Sequence, residues 1–63
     1  MAWKEYIEML RAEFEGKHVV YEGRRYNVAM VDYNGIIHID KPSEHNPTTA
    51  VYSAFEARRA LVE

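Results

Sequence analysis

An Asn-Gly pair at 34–35, set between two stretches of alternating apolar residues, constrains this chain more than any other feature. Asn-Gly is the pair that best tolerates the positive φ angles of a type I′ turn, the connection whose twist matches that of a β-hairpin. With Asn34 and Gly35 as a two-residue loop, Tyr33 faces Ile36, Val31 faces His38 and Met30 faces Ile39. Upstream, Gly23-Arg24 suits a type II′ turn, which wants glycine first. That loop sets Glu22 against Arg25, Tyr21 against Tyr26 and Val19 against Val28. Both registers put Val19, Tyr21, Tyr26, Val28, Met30, Ile37 and Ile39 on one face, the expected core side. The competing loop, Glu22-Gly23, is expected to exchange the faces of Val19 and Val20 and to cost the core Tyr21.

Before the hairpins the period is different. In residues 2–15 Trp3, Ile7, Leu10 and Phe14 are spaced 4, 3 and 4 apart, which places them on one face of a helix. Tyr6 and Met9 widen that stripe, and Lys4–Glu8 and Arg11–Glu15 are opposite charges at i,i+4. Gly16 can adopt the left-handed conformation that ends a helix. The stripe reads as core.

Residues 41–48, KPSEHNPT, gather turn-formers and two prolines into a surface loop. Thr49-Ala50-Val51-Tyr52 is β-competent, and Ser53-Ala54-Phe55-Glu56 has the spacing of a capping box for a helix AFEARRALV. The rival, one helix from Asn46 and Pro47 to 62, puts Thr48, Thr49, Val51 and Tyr52 into a helix they disfavour. Strand then helix is the preferred assignment. In that helix the Arg58 stem is expected across the core edge, and Arg59 is expected in solvent, paired with Glu56 or Glu63. The fold class is therefore α+β: an N-terminal helix, an antiparallel meander of three or four strands and a C-terminal helix, in the order α-β-β-β-(β)-α.

Composition narrows the function classes. Sixty-three residues hold one small domain, 1–63, and such a chain buries only about 60% of its unfolded surface. With no cysteine there is no disulfide, thiolate metal site or thiol nucleophile to help. The support must come from the 48% hydrophobic content and its one Trp, five Tyr and two Phe. No run approaches a membrane helix and residues 1–16 are too charged for a signal peptide, so a cytoplasmic location is expected. Met1 running directly into a helix suits a complete short chain, such as an accessory or regulatory protein of a bacterium or phage.

His38 and Asp40, two apart on a strand, point the same way and are the one pairing that invites chemistry, with His45 or His18 as a third metal ligand. Their spacing matches no metal signature, no nucleophile accompanies them, and each glycine is explained by a turn or cap. The expectation is no enzyme, no cofactor, no metal and no evident small-molecule ligand.

The outer face of the meander is the candidate site. It is expected to show Val20, Glu22, Arg25, Asn27, Ala29, Val31, Tyr33, Ile36, His38 and Asp40, an apolar group with a polar rim. Either the sheet buries it beneath a helix or by curling, or it is a contact surface. The partner-binding candidates are Asn27, Val31, Tyr33, Ile36 and His38, and the expected function is non-catalytic binding to a protein or to a second copy of the chain.

The alternative is a small nucleic-acid-binding domain using the sheet. Residues 18–62, a meander followed by Tyr52-Ser53-Ala54-Phe55-Glu56-Ala57, are similar to AP2-type and integrase N-terminal DNA-binding domains, and the resemblance implies groove reading by the sheet. Those domains carry several Arg and Trp on that face, whereas Arg25 and Arg24 are the cations available here. Net charge is −2 overall and +1 for residues 17–41, little against the ~6–10 phosphates of strong binders.

Overall fold

A computed structural model describes residues 2–62, so Met1 and the expected Arg59–Glu63 pair lie outside the described residues. Helix α1, Trp3–Phe14, buries Ile7, Leu10 and Phe14 on the expected stripe, while Trp3 and Met9 stay exposed at its margins. Gly16 has φ +83°, the left-handed geometry expected after a helix.

The sheet has five antiparallel strands: β1 His18–Tyr21, β2 Arg24–Val31, β3 Ile36–Ile39, β4 Thr49–Ser53 and β5 Leu61–Val62, in the spatial order β4-β3-β2-β1-β5. A second helix, α2, covers Ala54–Ala60 between β4 and β5. Strand then helix is thus the arrangement of residues 49–60. Ser53 occupies the N-cap position, but its side chain makes no capping hydrogen bond. The helix also stops two residues early, because Leu61 and Val62 pair with Val19 and His18 as an edge strand.

Both hairpins differ from the expected registers. Glu22 (φ 50°) and Gly23 (φ 76°) both have positive φ, so the first loop is Glu22-Gly23 in type I′ form, pairing Val19 with Tyr26 and Tyr21 with Arg24. Relative to a Gly23-Arg24 loop this moves the partner by two residues. Two is the side-chain period, so no face changes: Val19 is buried, Val20 exposed and Tyr21 half-buried.

The second loop matters more. Glu22 is the one described non-glycine residue with positive φ, so Asn34 does not take the type I′ geometry. The loop is instead the three residues Tyr33, Asn34 and Gly35. Gly35 N–H donates to the Asp32 carbonyl, Asp32 N–H donates to Ile36, and Gly35 has φ +81°. Val31 now pairs with Ile37 and Met30 with His38. A slip of one exchanges faces, so Val31 is fully buried and Met30 is 40% exposed, the reverse of expectation. A bulge at Ala29 restores the phase, letting Val28 and Val31 both point inward although three residues apart.

Helix α1 and the core explain why this register holds. Beyond the end of β1, the free backbone of Val31 meets side chains at the C-terminal end of α1: Arg11 Nε donates to its carbonyl and its N–H donates to the C-cap residue Glu15, each at 3.4 Å. Arg11 and Glu15 therefore serve the sheet rather than each other. Trp3 Nε1 donates to the Tyr33 carbonyl at 2.6 Å, pinning the loop to the start of the helix.

Ala54 and Ala57 of α2 join Ile7, Leu10, Phe14, Val19, Val28, Val31, Ile37 and Ile39 in one cluster. Both helices thus cover the same face of the sheet. The two helices are tied by Arg58, whose guanidinium makes a bidentate pair with Glu13 (2.6 and 2.9 Å) and lies 5.8 Å from the Phe14 ring. The sheet curls around this core far enough for the Tyr52 hydroxyl on β4 to donate to the Val20 carbonyl on β1.

Candidate functional site

The uncovered face of the sheet is built from alternate residues of the strands. Val20, Arg25, His18 and Asn27 come from the β1–β2 hairpin, Val62 lies opposite His18, and Met30 lies opposite His38, which in turn faces Ala50 on β4. Because both helices pack on the other side, none of the described elements lies over these residues. Val20, Met30 and Val62 are exposed, and Ile36 is half-buried beside them. At one end the loop projects Tyr33, 64% exposed, its carbonyl held by Trp3.

Of the five candidate binding residues, Asn27 and Tyr33 are exposed, and Ile36 and His38 are half-buried on or beside this face. Val31 is not part of it, since the three-residue loop turns its side chain into the core. Met30 takes the place that Val31 was expected to fill.

His38 also has a different partner from the one expected. Its Nε2 lies 2.7 Å from Oδ2 of Asp32, across the hairpin, rather than pairing with Asp40; the two side chains are 19% and 26% exposed. Oδ1 of Asp32 accepts the N–H groups of Asn34 (2.8 Å) and Ile36 (3.0 Å). An ionised carboxylate only accepts, so Nε2 of His38 carries the proton in this bond. Partial burial pushes the Asp32 carboxyl up, but His38 and the Ile36 and Asn34 amides outweigh it and hold it below the ordinary carboxylate value. Asp32 is therefore an anion that organises the loop displaying Tyr33.

His18 lies 3.4 Å from Arg25, and His45 sits beside Glu44 on the exposed 41–48 loop, so the three histidines do not converge. Among the described residues no three His, Asp or Glu side chains form a group able to hold a metal. No helix among them is long and apolar enough to cross a membrane.

Two features of the surface left little trace in the sequence. Phe55 of α2 is 64% exposed, with the Arg59 guanidinium stacked 4.6 Å from its ring centroid. Their i,i+4 spacing was visible in the sequence, but nothing there marked which helix face would be solvent. The second is Met30, hidden by the loop length.

No protein-family model, no curated protein and no solved structure matches this chain.

Proposed function

We propose that this chain is a protein-binding module whose contact surface is the helix-free face of its sheet, centred on Met30, Ile36 and His38 and extended by Tyr33. The observation that supports this most is the placement of both helices on one side, which leaves Met30 40% exposed on a strand whose Val28 and Val31 are buried in the core. Small domains bury apolar area with difficulty, so leaving such residues in solvent costs stability that a contact surface recovers on binding. Tyr, Met and Arg are the residue types enriched at such surfaces, and Asn27, Arg25 and Asp40 supply a polar rim. The partner is a second copy of this chain or another protein.

The surface is tested by Met30→Lys combined with Ile36→Lys. The double variant keeps its circular dichroism spectrum and loses association, read by light scattering over a range of concentrations for a second copy and by pull-down with the purified partner otherwise. Unchanged association in a folded variant contradicts the proposal. Filter binding of mixed DNA and RNA at low salt is the discriminating control: retention that falls steeply with salt favours the nucleic-acid alternative.

A further inference from the structure

The Asn34-Gly35 pair is also a chemical weak point, because a glycine after asparagine places no Cβ in the way of its own backbone nitrogen. In a flexible chain that nitrogen, once deprotonated, attacks Asn34 Cγ. The bond from Cγ to the side-chain nitrogen breaks, ammonia departs with a proton from solvent, and a cyclic imide remains. Water then adds to either imide carbonyl, giving aspartate or the isoaspartate whose backbone runs through the side chain. The net exchange is one water taken up and one ammonia released, with no oxidant or reductant.

The hairpin opposes the first step. Gly35 N–H donates to the Asp32 carbonyl at 3.0 Å, so losing that proton would leave an anion facing a carbonyl oxygen on the residue that also carries the Asp32 carboxylate. Neighbouring Asn34 N–H and Ile36 N–H are both held by that carboxylate. Nor is the loop free to rearrange: Gly35 is buried, with Leu10 Cδ1 3.7 Å and Trp3 Cη2 3.9 Å from where a Cβ would stand, and Trp3 holds the Tyr33 carbonyl.

We propose that Asn34 is a site of spontaneous deamidation that the folded hairpin holds closed, with the Asp32 carboxylate, which holds the amides on either side of Gly35, keeping the Gly35 N–H on the Asp32 carbonyl and away from attack. The modification then proceeds only when the loop opens, and its products change the loop. Either product puts a second carboxylate two residues from Asp32, and isoaspartate lengthens the backbone of a three-residue loop closed by the Asp32–Ile36 hydrogen bond. The presentation of Tyr33 is altered in each case, whether or not the sheet face binds a partner.

Mass spectrometry of the intact protein and its 34–35 peptide, incubated at mildly alkaline pH, tests this, with isoaspartate read by enzymatic methylation. Native protein is expected to convert at least roughly tenfold more slowly than protein held in concentrated urea. Folded Asp32→Ala is expected to convert several-fold faster than wild type. If that variant does not fold, Trp3→Phe, which releases the Tyr33 carbonyl, stands in with the same expectation. Equal rates in native buffer and urea overturn the protection, absence of conversion in urea overturns the site, and a folded variant no faster than wild type overturns the anchoring.

Discussion

Nε2 of His38 lies 2.7 Å from Oδ2 of Asp32, joining the third strand to the end of the second across the loop that displays Tyr33. The other carboxylate oxygen holds two loop amides, so one ionised side chain sets the loop length and, through it, the register of β2 on β3. The pH dependence follows from the sign of the Asp32 shift. Its folded value is below the ordinary one, so its stabilisation is complete above about pH 4–5 and is lost as pH falls through the folded value. Thermal melts of wild type and Asp32→Asn are expected to be separated by a constant interval at neutral pH and to converge in acid. A separation that persists in acid below the folded value of Asp32 contradicts the assignment.

The exchanged faces of Met30 and Val31 give a second expectation. Val31→Thr buries a hydroxyl among Ile7, Leu10 and Ile37 with no designed partner and should cost about 1–3 kcal/mol. Met30→Thr, one residue away on the solvent side, should stay within about 0.5 kcal/mol. Urea titration of both variants checks the pair; equal losses would mean that the register is wrong.

Glu22 carries a third. It holds φ 50°, a conformation that costs an ordinary L-residue on the order of 1 kcal/mol and that asparagine accepts more readily. Glu22→Asn should therefore raise stability by about 0.5–1 kcal/mol. Gly23→Ala should lower it by about 1 kcal/mol through backbone strain alone, since its Cβ would meet nothing within 4 Å. Melting temperatures of the two variants should move in opposite directions.

The Arg58–Glu13 pair is bidentate but partly exposed, so solvent screening keeps its coupling small. A double-mutant cycle with Arg58→Ala and Glu13→Ala measures that coupling, which should shrink at high salt.

Much of the architecture was legible because it rests on spacing. The Ile7, Leu10, Phe14 stripe and the strand-then-helix order of 49–60 follow from side-chain period and propensity, and the structure has both. What failed rests on single hydrogen bonds or very short elements. Asn34-Gly35 suits a two-residue turn until the Asp32 carboxylate claims the amides of Asn34 and Ile36, and that one extra loop residue moved Val31 inward and Met30 outward. Leu61 and Val62 are too few for any period to mark them as a strand. The link from His38 to Asp32 was missed because same-strand spacing pointed to Asp40, whereas the real partner depends on loop length.

The central claim is that the helix-free face makes the protein contact. Its most direct test replaces Met30 with a photo-crosslinking residue, with Met9 on the outer side of α1 as the control, and irradiates the protein in extract of its source cells. Protein adducts are expected from position 30, resistant to nuclease, absent from position 9 and lost on adding Ile36→Lys. Adducts of equal pattern from both positions, or none from position 30, contradict it.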